Sequence, residues 1–572
     1  MTWKPWLGAV PDGRGTHFRV WAPRAEKLAV KIGERAFEMK READGYLTAH
    51  VEGVRAGAWY SYRFPDGRER PDPASLFQPE GVHGPSEVVD LAAIAPKKPR
   101  PGTKLQDLIF CEIHLGTYTK EGTARAAARQ VGELRENGYT AVEVMPVAAF
   151  SGDRGWGYDG VAPFAAHVAY GGPRQLADFV DAAHAQGLSA WLDVVYNHLG
   201  PEGNYLGEFG PYFTSRHKTP WGDALDFSLE PVRRYFVENA RRWVSQSGGG
   251  FDGLRLDAIH GIHDDSPKHI LQEIAEAVHA EGALVIAESD LNDVKLVEQY
   301  GLDGSWADDL HHALHVALTG ESQGYYGDFQ DPLPKLAHAL NRGWFYEGQH
   351  KPSFGRPHGT KAAHLPGRHF VVCAQNHDQI GNRAGGERLT ALLAPDDAGG
   401  LRVAAAIVAL QPALPLFFQG EEWAAKEPFQ YFTGHTDHDL AEAVRKGRRE
   451  EFKAFAWQGE VPDPQARETF ERSKLDRSRQ DGEALRWHRA LLELRKEKLP
   501  DDARDKTQAS LQGRTLLLRR DPLLLVAAFD SGPFEARLPE GGWRIALDSA
   551  QAALAGDRLR GTGRQAVVLE RS

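Results

Sequence analysis

Cysteine is nearly missing from this chain: 572 residues contain only Cys111 and Cys373. Both fall in apolar, strand-like runs, so a disulfide framework is excluded and the two read as reduced core residues. Long apolar runs are missing as well, and nothing approaches the length needed to span a bilayer. The opening MTWKPWLGAV has no apolar h-region behind a positive n-region, so a cytoplasmic protein is expected. A basic cluster is the third absence. The formal net charge of −11 is spread along the chain, which argues against nucleic acid or an anionic membrane as partner. A neutral partner suits this balance, and a sugar polymer is neutral. Fourteen Trp and sixteen Tyr supply surfaces on which sugar rings can stack, although most aromatics in a chain of this size fill core. Internal repeats and low-complexity segments are absent.

What is present divides into three parts. Before residue 100, short alternating runs (THFRVWA, KLAVKI, GYLTAHV, WYSYRF) lie between Gly-, Asp- and Pro-rich turns. This pattern predicts a β-sandwich of the glycan-binding-module kind over 1–95. APKKPRPG (95–102) reads as its exit linker. Strand and helix then alternate over 103–498, which predicts a parallel (β/α)8 barrel of the α/β class. Its strands are read at LIFCEIHL, AVEVMPV, WLDVV, FDGLRLDAI, LVIAESD, DGSWADDL, FVVCAQNHD and LPLFFQG. The long connections after strands three, six and eight are expected to shape a cleft. From 499 to 572 alternating runs (TLLLRR, LLLVAAFD, WRIAL, QAVVLE) predict a small C-terminal antiparallel β domain.

The segment GLRLDAIH (253–260) carries the most chemistry. Residues i and i+2 of a strand project the same way, so Arg255 and Asp257 are expected side by side. A buried charged pair is an expensive way to stabilise a strand and is commoner where a carboxylate must stay ionised. A purely structural ion pair is the alternative. Three other strand-like runs, WLDVVYNH, ALVIAESD and FVVCAQNHD, also end in polar groups, which describes the mouth of a barrel.

DVVYNH, GLRLDAIH, the Glu of ALVIAESD and QNHD together resemble, in order, the four signature regions of the alpha-amylase superfamily of glycoside hydrolases. Four longer runs, WGYDGVAPFAAHVAYGGP (156–173), WADDLHHALHVALTGE (306–321), QNHDQIGNRAGGERL (375–389) and EEWAAKEPFQYFTGH (421–435), narrow the resemblance to the maltooligosyltrehalose trehalohydrolase family. That resemblance implies hydrolysis of the α-1,4 bond beside a terminal trehalose, with retention of configuration. Retention needs a nucleophilic carboxylate and a carboxylic acid roughly 5 to 5.5 Å apart, which adjacent barrel strands can supply. Asp257 is then the expected nucleophile, held ionised by Arg255, Glu288 the acid and base, and Asp378 the third carboxylate, on sugar hydroxyls. The resemblance also implies substrate contacts from His198, His377, Arg255, His260, Gln379 and Asn382, with Tyr158 stacking under the ring that is cleaved. Asp193 is expected to support Arg255.

In DDLHHALH, neighbours such as His311 and His312 cannot face the same way, so sugar contacts from Asp309 and His312 are expected there instead of a metal site. Asn197 matches an Asn that helps bind calcium in many amylases, but no accompanying acidic loop is found; no metal and no cofactor are expected. Trp221, Tyr325, Tyr326 and Phe354 are candidate walls of the leaving-group subsites. Two alternatives remain: a 1,4-α-glucan branching enzyme, which passes the glycosyl group to a sugar hydroxyl, or another α-glucan-active enzyme of the amylase type, and a silent glycan-binding protein. The second gains nothing from a cluster of ionisable groups.

Overall fold

The computed structural model describes residues 3–219, 222–393, 397–454, 461–499, 502 and 506–572. Its centre is a closed barrel of eight parallel strands in chain order: β1 (Phe110–Ile113), β2 (Ala141–Val144), β3 (Ser189–Val194), β4 (Gly253–Leu256), β5 (Leu284–Ala287), β6 (Gly304–Trp306), β7 (Phe370–Cys373) and β8 (Leu414–Phe418). The strands are short and apolar, as a parallel sheet covered on both faces requires. Helices over Gly172–Ala185, Glu230–Val244, Ile270–Ala280 and Ala398–Leu410 bury one face each.

The two-residue alternation sorts the barrel interior. Phe110, Trp191, Ile286, Trp306, Val371 and Cys373 form an apolar cluster separate from the main core. Two residues on from Phe110, Trp191 and Ile286 come Glu112, Asp193 and Glu288, so the same inner face turns from apolar to charged toward the C-terminal ends of the strands. Gly253 is required by this filling, because a Cβ there would lie 2.5 Å from the Trp191 ring.

Ahead of the barrel, one antiparallel sheet holds strands Gly8–Pro11, Gly15–Trp21, Tyr46–Glu52 and Lys40–Arg41, and a second holds Arg35–Glu38, Ala29–Ile32, Trp59–Arg63 and Glu69–Arg70. The sheets pack face to face, with Phe18 against Tyr60 at 4.9 Å between ring centroids. They dock on helix Glu230–Val244, where the Trp3 indole donates to Glu238 at 2.9 Å and the Tyr235 hydroxyl to the Pro73 carbonyl at 2.6 Å. At the other end, strands Thr507–Gln512, Thr515–Arg520, Leu523–Ala528, Gln565–Arg571 and Trp543–Asp548 form an antiparallel sheet beside a smaller three-stranded one. Arg520 ties it to the barrel by donating to the carbonyls of Leu410 and Gln411 at 2.9 and 2.8 Å. Cys111 and Cys373 are free and buried in β1 and β7. Among the described residues no helix is long and apolar enough to cross a membrane.

The sixth strand is shorter than DGSWADDL suggests. Only Gly304–Trp306 is extended, and Asp309–Thr319 is helix, with Asp308 and Asp309 at the helix start. Strands β4, β5 and β7 likewise stop at Leu256, Ala287 and Cys373, so the charged residues that follow stand on the rim of the barrel. Between β1 and β2 the stretch from Ala124 to Glu136 forms two short helices, Ala124–Ala128 and Val131–Glu136.

Candidate active site

Arg255 is the hub of the barrel mouth. Its Nη1 lies 2.8 Å from Asp193 Oδ2 and 2.8 Å from Asp257 Oδ1, and its plane rests 4.5 Å from the centre of the Trp306 ring. Burial lowers the pKa of this guanidinium, but the charges of Asp193, Asp257 and Glu288 outweigh burial and raise it above the ordinary arginine value. The other oxygen of Asp257 accepts from Asn197 Nδ2 at 2.8 Å, and the same amide donates to the Asp257 carbonyl at 2.8 Å. Asp257 is thus fixed by two donors on two strand ends.

Glu288 sits beside it. The ladder between β4 and β5 continues past both strands, with the Glu288 N–H on the Leu256 carbonyl at 2.8 Å and the Ile259 N–H on the Glu288 carbonyl at 3.1 Å. The Ala258 N–H donates to Glu288 Oε2 at 2.6 Å, and Ala258 reaches that position with φ +39°, in the left-handed region. Arg255 Nη2 is 3.8 Å from the same Glu288 oxygen. Burial raises the pKa of Glu288; Asp257 and Asp378 add to the rise and Arg255 opposes it. Asp378 stands at the start of the short helix His377–Gly381, half-exposed, with Asn382 donating to its Oδ1 at 3.2 Å.

A second set of bonds runs under the cleft. Tyr158 donates its hydroxyl to Asp193 Oδ2 at 2.6 Å, lies 2.8 Å from His377 Nε2, and stacks on that ring at 5.2 Å and 23°. Burial raises Asp193 to about 7, with Arg255 opposing and Asp257 adding to the rise. His377 Nδ1 meets Glu112 Oε1 at 2.5 Å. Burial would lower the imidazole, but the charges of Glu112 and Asp378 and the Glu112 hydrogen bond outweigh it and raise the pKa to about 9.

Asp257, Glu288, Asp378, Arg255, Tyr158 and His377 therefore meet in one place, while several of the other expected contact residues are engaged with protein groups. Asp309 accepts from Asn292 Nδ2 at 2.9 Å and from the N–H groups of Phe345 and Tyr346, both at 2.8 Å. Its carboxylate organises a loop, and the member of the pair beside Glu288 and Asp378 is Asp308, which burial and those charges raise to about 8. Both ring nitrogens of His198 face protein oxygens, Asn197 Oδ1 at 2.5 Å and the Tyr158 carbonyl at 2.9 Å, so its place is to fix Asn197 and the Tyr158 backbone. Asn382 likewise acts on Asp378. Gln379 Oε1 lies 3.4 Å from the Tyr325 hydroxyl, and His260 Nδ1 3.6 Å from exposed Asp290.

His312 packs beside the Tyr325 ring at 4.9 Å, burial with nearby Lys351 lowers its pKa to about 3, and its Nδ1 has no partner among the described residues. Its neighbours face away: His311 contacts the Ala374 carbonyl at 2.6 Å and His315 contacts Glu321 at 2.7 Å. Tyr326 is buried, whereas Tyr325 and Phe354 are exposed. Trp221 lies outside the described residues. The residues missed by sequence reasoning are Glu112, Asp308 and Glu143, which is buried in β2 close to the charges of Glu112, Arg255 and Asp193. A signal existed for the two glutamates, since a carboxylate in an apolar barrel strand (FCEI, AVEV) is the same anomaly that marks RLD.

No family model matches the chain. Individual relatives do. A Deinococcus radiodurans protein named malto-oligosyltrehalose trehalohydrolase is 46% identical over 508 residues, covering 86% of this chain and 83% of its own. One of the same name from Arthrobacter ramosus is 41% identical over 580 residues, covering 97% and 99%. Among solved structures, a Salmonella typhimurium chain described as an alpha amylase superposes with a TM-score of 0.92 at 37% identity, over 100% of both chains. A branching enzyme from Jannaschia sp. reaches 30% identity over only 44% of this chain.

Proposed function

The chain belongs to the malto-oligosyltrehalose trehalohydrolase family, and from that premise we propose that it cleaves the α-1,4 bond next to the terminal trehalose of maltooligosyltrehalose, releasing trehalose and a shortened maltooligosaccharide. The observation that carries the chemistry is Arg255 Nη1 on Asp257 at 2.8 Å beside a Glu288 whose pKa is raised. A carboxylate held by an arginine beside a carboxylic acid of raised pKa is what a retaining glycosidase needs.

In this reading the ionised Asp257 attacks the anomeric carbon, and protonated Glu288 gives its proton to the glycosidic oxygen as trehalose leaves. Esterification removes the charge of Asp257, one of the influences that raise Glu288. Glu288 therefore becomes the stronger acid once its proton has gone, and as a carboxylate it deprotonates the water that releases the sugar. Asp378 binds hydroxyls of the ring being distorted, the cationic His377 holds Tyr158 beneath that ring, and Asp308, protonated at neutral pH, donates to a hydroxyl nearby. His312, Tyr325 and Phe354 line the side where trehalose leaves. Chemistry is assigned to 103–498, flanked by 1–95 and 499–572, in a cytoplasmic protein whose partner is a neutral α-glucan.

The test is incubation with a maltooligosyltrehalose and identification of the sugars formed. Trehalose plus a maltooligosaccharide born as the α-anomer is expected. A first-formed β-anomer excludes the retaining mechanism, and branched glucan from a plain α-1,4 chain moves the protein to the branching-enzyme reading.

A further inference from the structure

Far from the barrel mouth, Asp12, His17 and His50 converge on the outer face of the N-terminal sheet. His17 and His50 are directly opposed across the antiparallel pair Gly15–Trp21 and Tyr46–Glu52, so their side chains share one face. Their rings lie 4.3 Å apart between centroids, and both Nε2 atoms face one oxygen, Asp12 Oδ2, at 3.0 and 3.1 Å. The other oxygen, Oδ1, accepts from the backbone N–H groups of Arg14 and Gly15 at 3.0 and 2.8 Å. The carboxylate is therefore locked by its own turn, with Oδ2 turned toward both imidazoles. Among the described residues this is the only group of three His, Cys, Asp or Glu whose ligand atoms all lie within 4.8 Å of one another.

We propose that Asp12, His17 and His50 form a surface site for a borderline divalent transition-metal ion, zinc in the first instance, that clamps the turn after Pro11 to the cross-strand histidine pair. Nitrogen and oxygen ligands about 2.1 Å from zinc are about 3.0 to 3.4 Å apart at right-angle to tetrahedral spacing, which the two Nε2 to Oδ2 distances match. Two imidazoles and one carboxylate are a donor set that zinc and copper accept, and calcium or magnesium, which prefer oxygen, do not. The backbone N–H groups on Oδ1 are the outer partners that such ligands need for orientation. Both histidines also line an open groove of about 910 Å³ with Phe37 and Trp6, so remaining coordination positions are open to water.

The experiment uses the full-length protein stripped with a chelator and titrated calorimetrically with zinc chloride. One ion per chain at a dissociation constant on the order of micromolar is expected, with a rise in thermal midpoint that grows with free zinc. His17→Gln and His50→Gln should each weaken binding at least tenfold; both residues are exposed, and circular dichroism checks that the variants fold. Loaded with copper(II), the wild type should show two-nitrogen hyperfine structure and each variant one nitrogen. Wild-type saturation only above about a millimolar, or variants that bind like the wild type, overturns the proposal.

Discussion

Glu112 holds His377 at two points: Oε2 accepts the backbone N–H at 3.0 Å, and Oε1 meets ring Nδ1 at 2.5 Å. A carboxylate in β1 thereby sets both the charge and the orientation of a ring on the far side of β8, and that ring underlies Tyr158. Glu112→Gln should lower kcat/KM by about 10- to 100-fold, with most of the loss in kcat. The linkage has a definite sign. The folded pKa of His377, about 9, exceeds the ordinary histidine value of 6.5, so its contribution to stability is full below about 6.5 and is lost as pH rises through about 9. The stability gap between wild type and Glu112→Gln, measured by urea unfolding, should shrink over that window. A constant gap would leave His377 uncharged.

Asp257→Asn and Glu288→Gln should each retain less than about a tenth of wild-type kcat, since general acid and base help alone is worth 10²- to 10⁴-fold. The two should separate on a glycosyl fluoride, whose leaving group needs no proton. Glu288→Gln should still form the covalent intermediate and stall there, while Asp257→Asn should do neither. Mass spectrometry of the intact protein reads the difference.

The alkaline limb of kcat/KM should follow Glu288, whose pKa is raised by burial and by the charges of Asp257 and Asp378. Removing one of those charges in Asp378→Asn should move the limb to lower pH while cutting the rate. A limb that stays in place in the residual activity would detach it from Glu288.

Ala258 occupies φ +39° between the nucleophile and the residues that follow, and its N–H is fixed on Glu288. The left-handed region costs an L residue about 1 kcal/mol, which Ala258→Gly removes while adding unfolded-state entropy of similar size. That variant should fall within about 0.5 kcal/mol of wild type. A β-branched Ala258→Val should lose about 1 to 3 kcal/mol and most activity, because the Glu288 contact moves. Equal unfolding midpoints for the two variants would show that the backbone there is relaxed.

Much of this was legible in the sequence because barrel strands write their chemistry in period two. Arg255 and Asp257 were expected on one face and share a 2.8 Å contact, and Asp193 supports Arg255 as expected. What could not be read is which of two adjacent polar residues turns inward once a strand gives way to a helix. Asp308 and Asp309 are equivalent as letters; only the helix start at Asp309 sends one toward Asn292 and the other toward Glu288. The same holds for His198, whose partners come from a preceding Asn and a backbone carbonyl 40 residues away. Glu112 was missed for another reason: its partner His377 is 265 residues distant, and no local spacing links them.

Selectivity for trehalose-ended chains should reside where the leaving group sits, since Asp257, Glu288, Asp378 and Tyr158 would serve any α-1,4-glucan. Trehalose has no reducing end, and its α,α-1,1 link presents a different hydroxyl pattern from maltose. Apolar fit discriminates weakly between such sugars, whereas a buried polar group left unpaired by the wrong one discriminates strongly. The His312 and Tyr325 pair offers both kinds of contact: an exposed ring 4.9 Å from an imidazole whose Nδ1 is unpartnered among the described residues. Tyr325→Phe should therefore change little, because the ring is kept and its hydroxyl already meets protein groups, Gln379 at 3.4 Å and Tyr326, while His312→Phe should lower the kcat/KM ratio of maltooligosyltrehalose to equal-length maltooligosaccharide by about 10- to 100-fold. The loss should fall on the trehalose-ended substrate, with hydrolysis of the plain chain nearly unchanged. If both substrates weaken equally in His312→Phe, the imidazole supports the wall and the selective contact must be sought elsewhere along the leaving-group side.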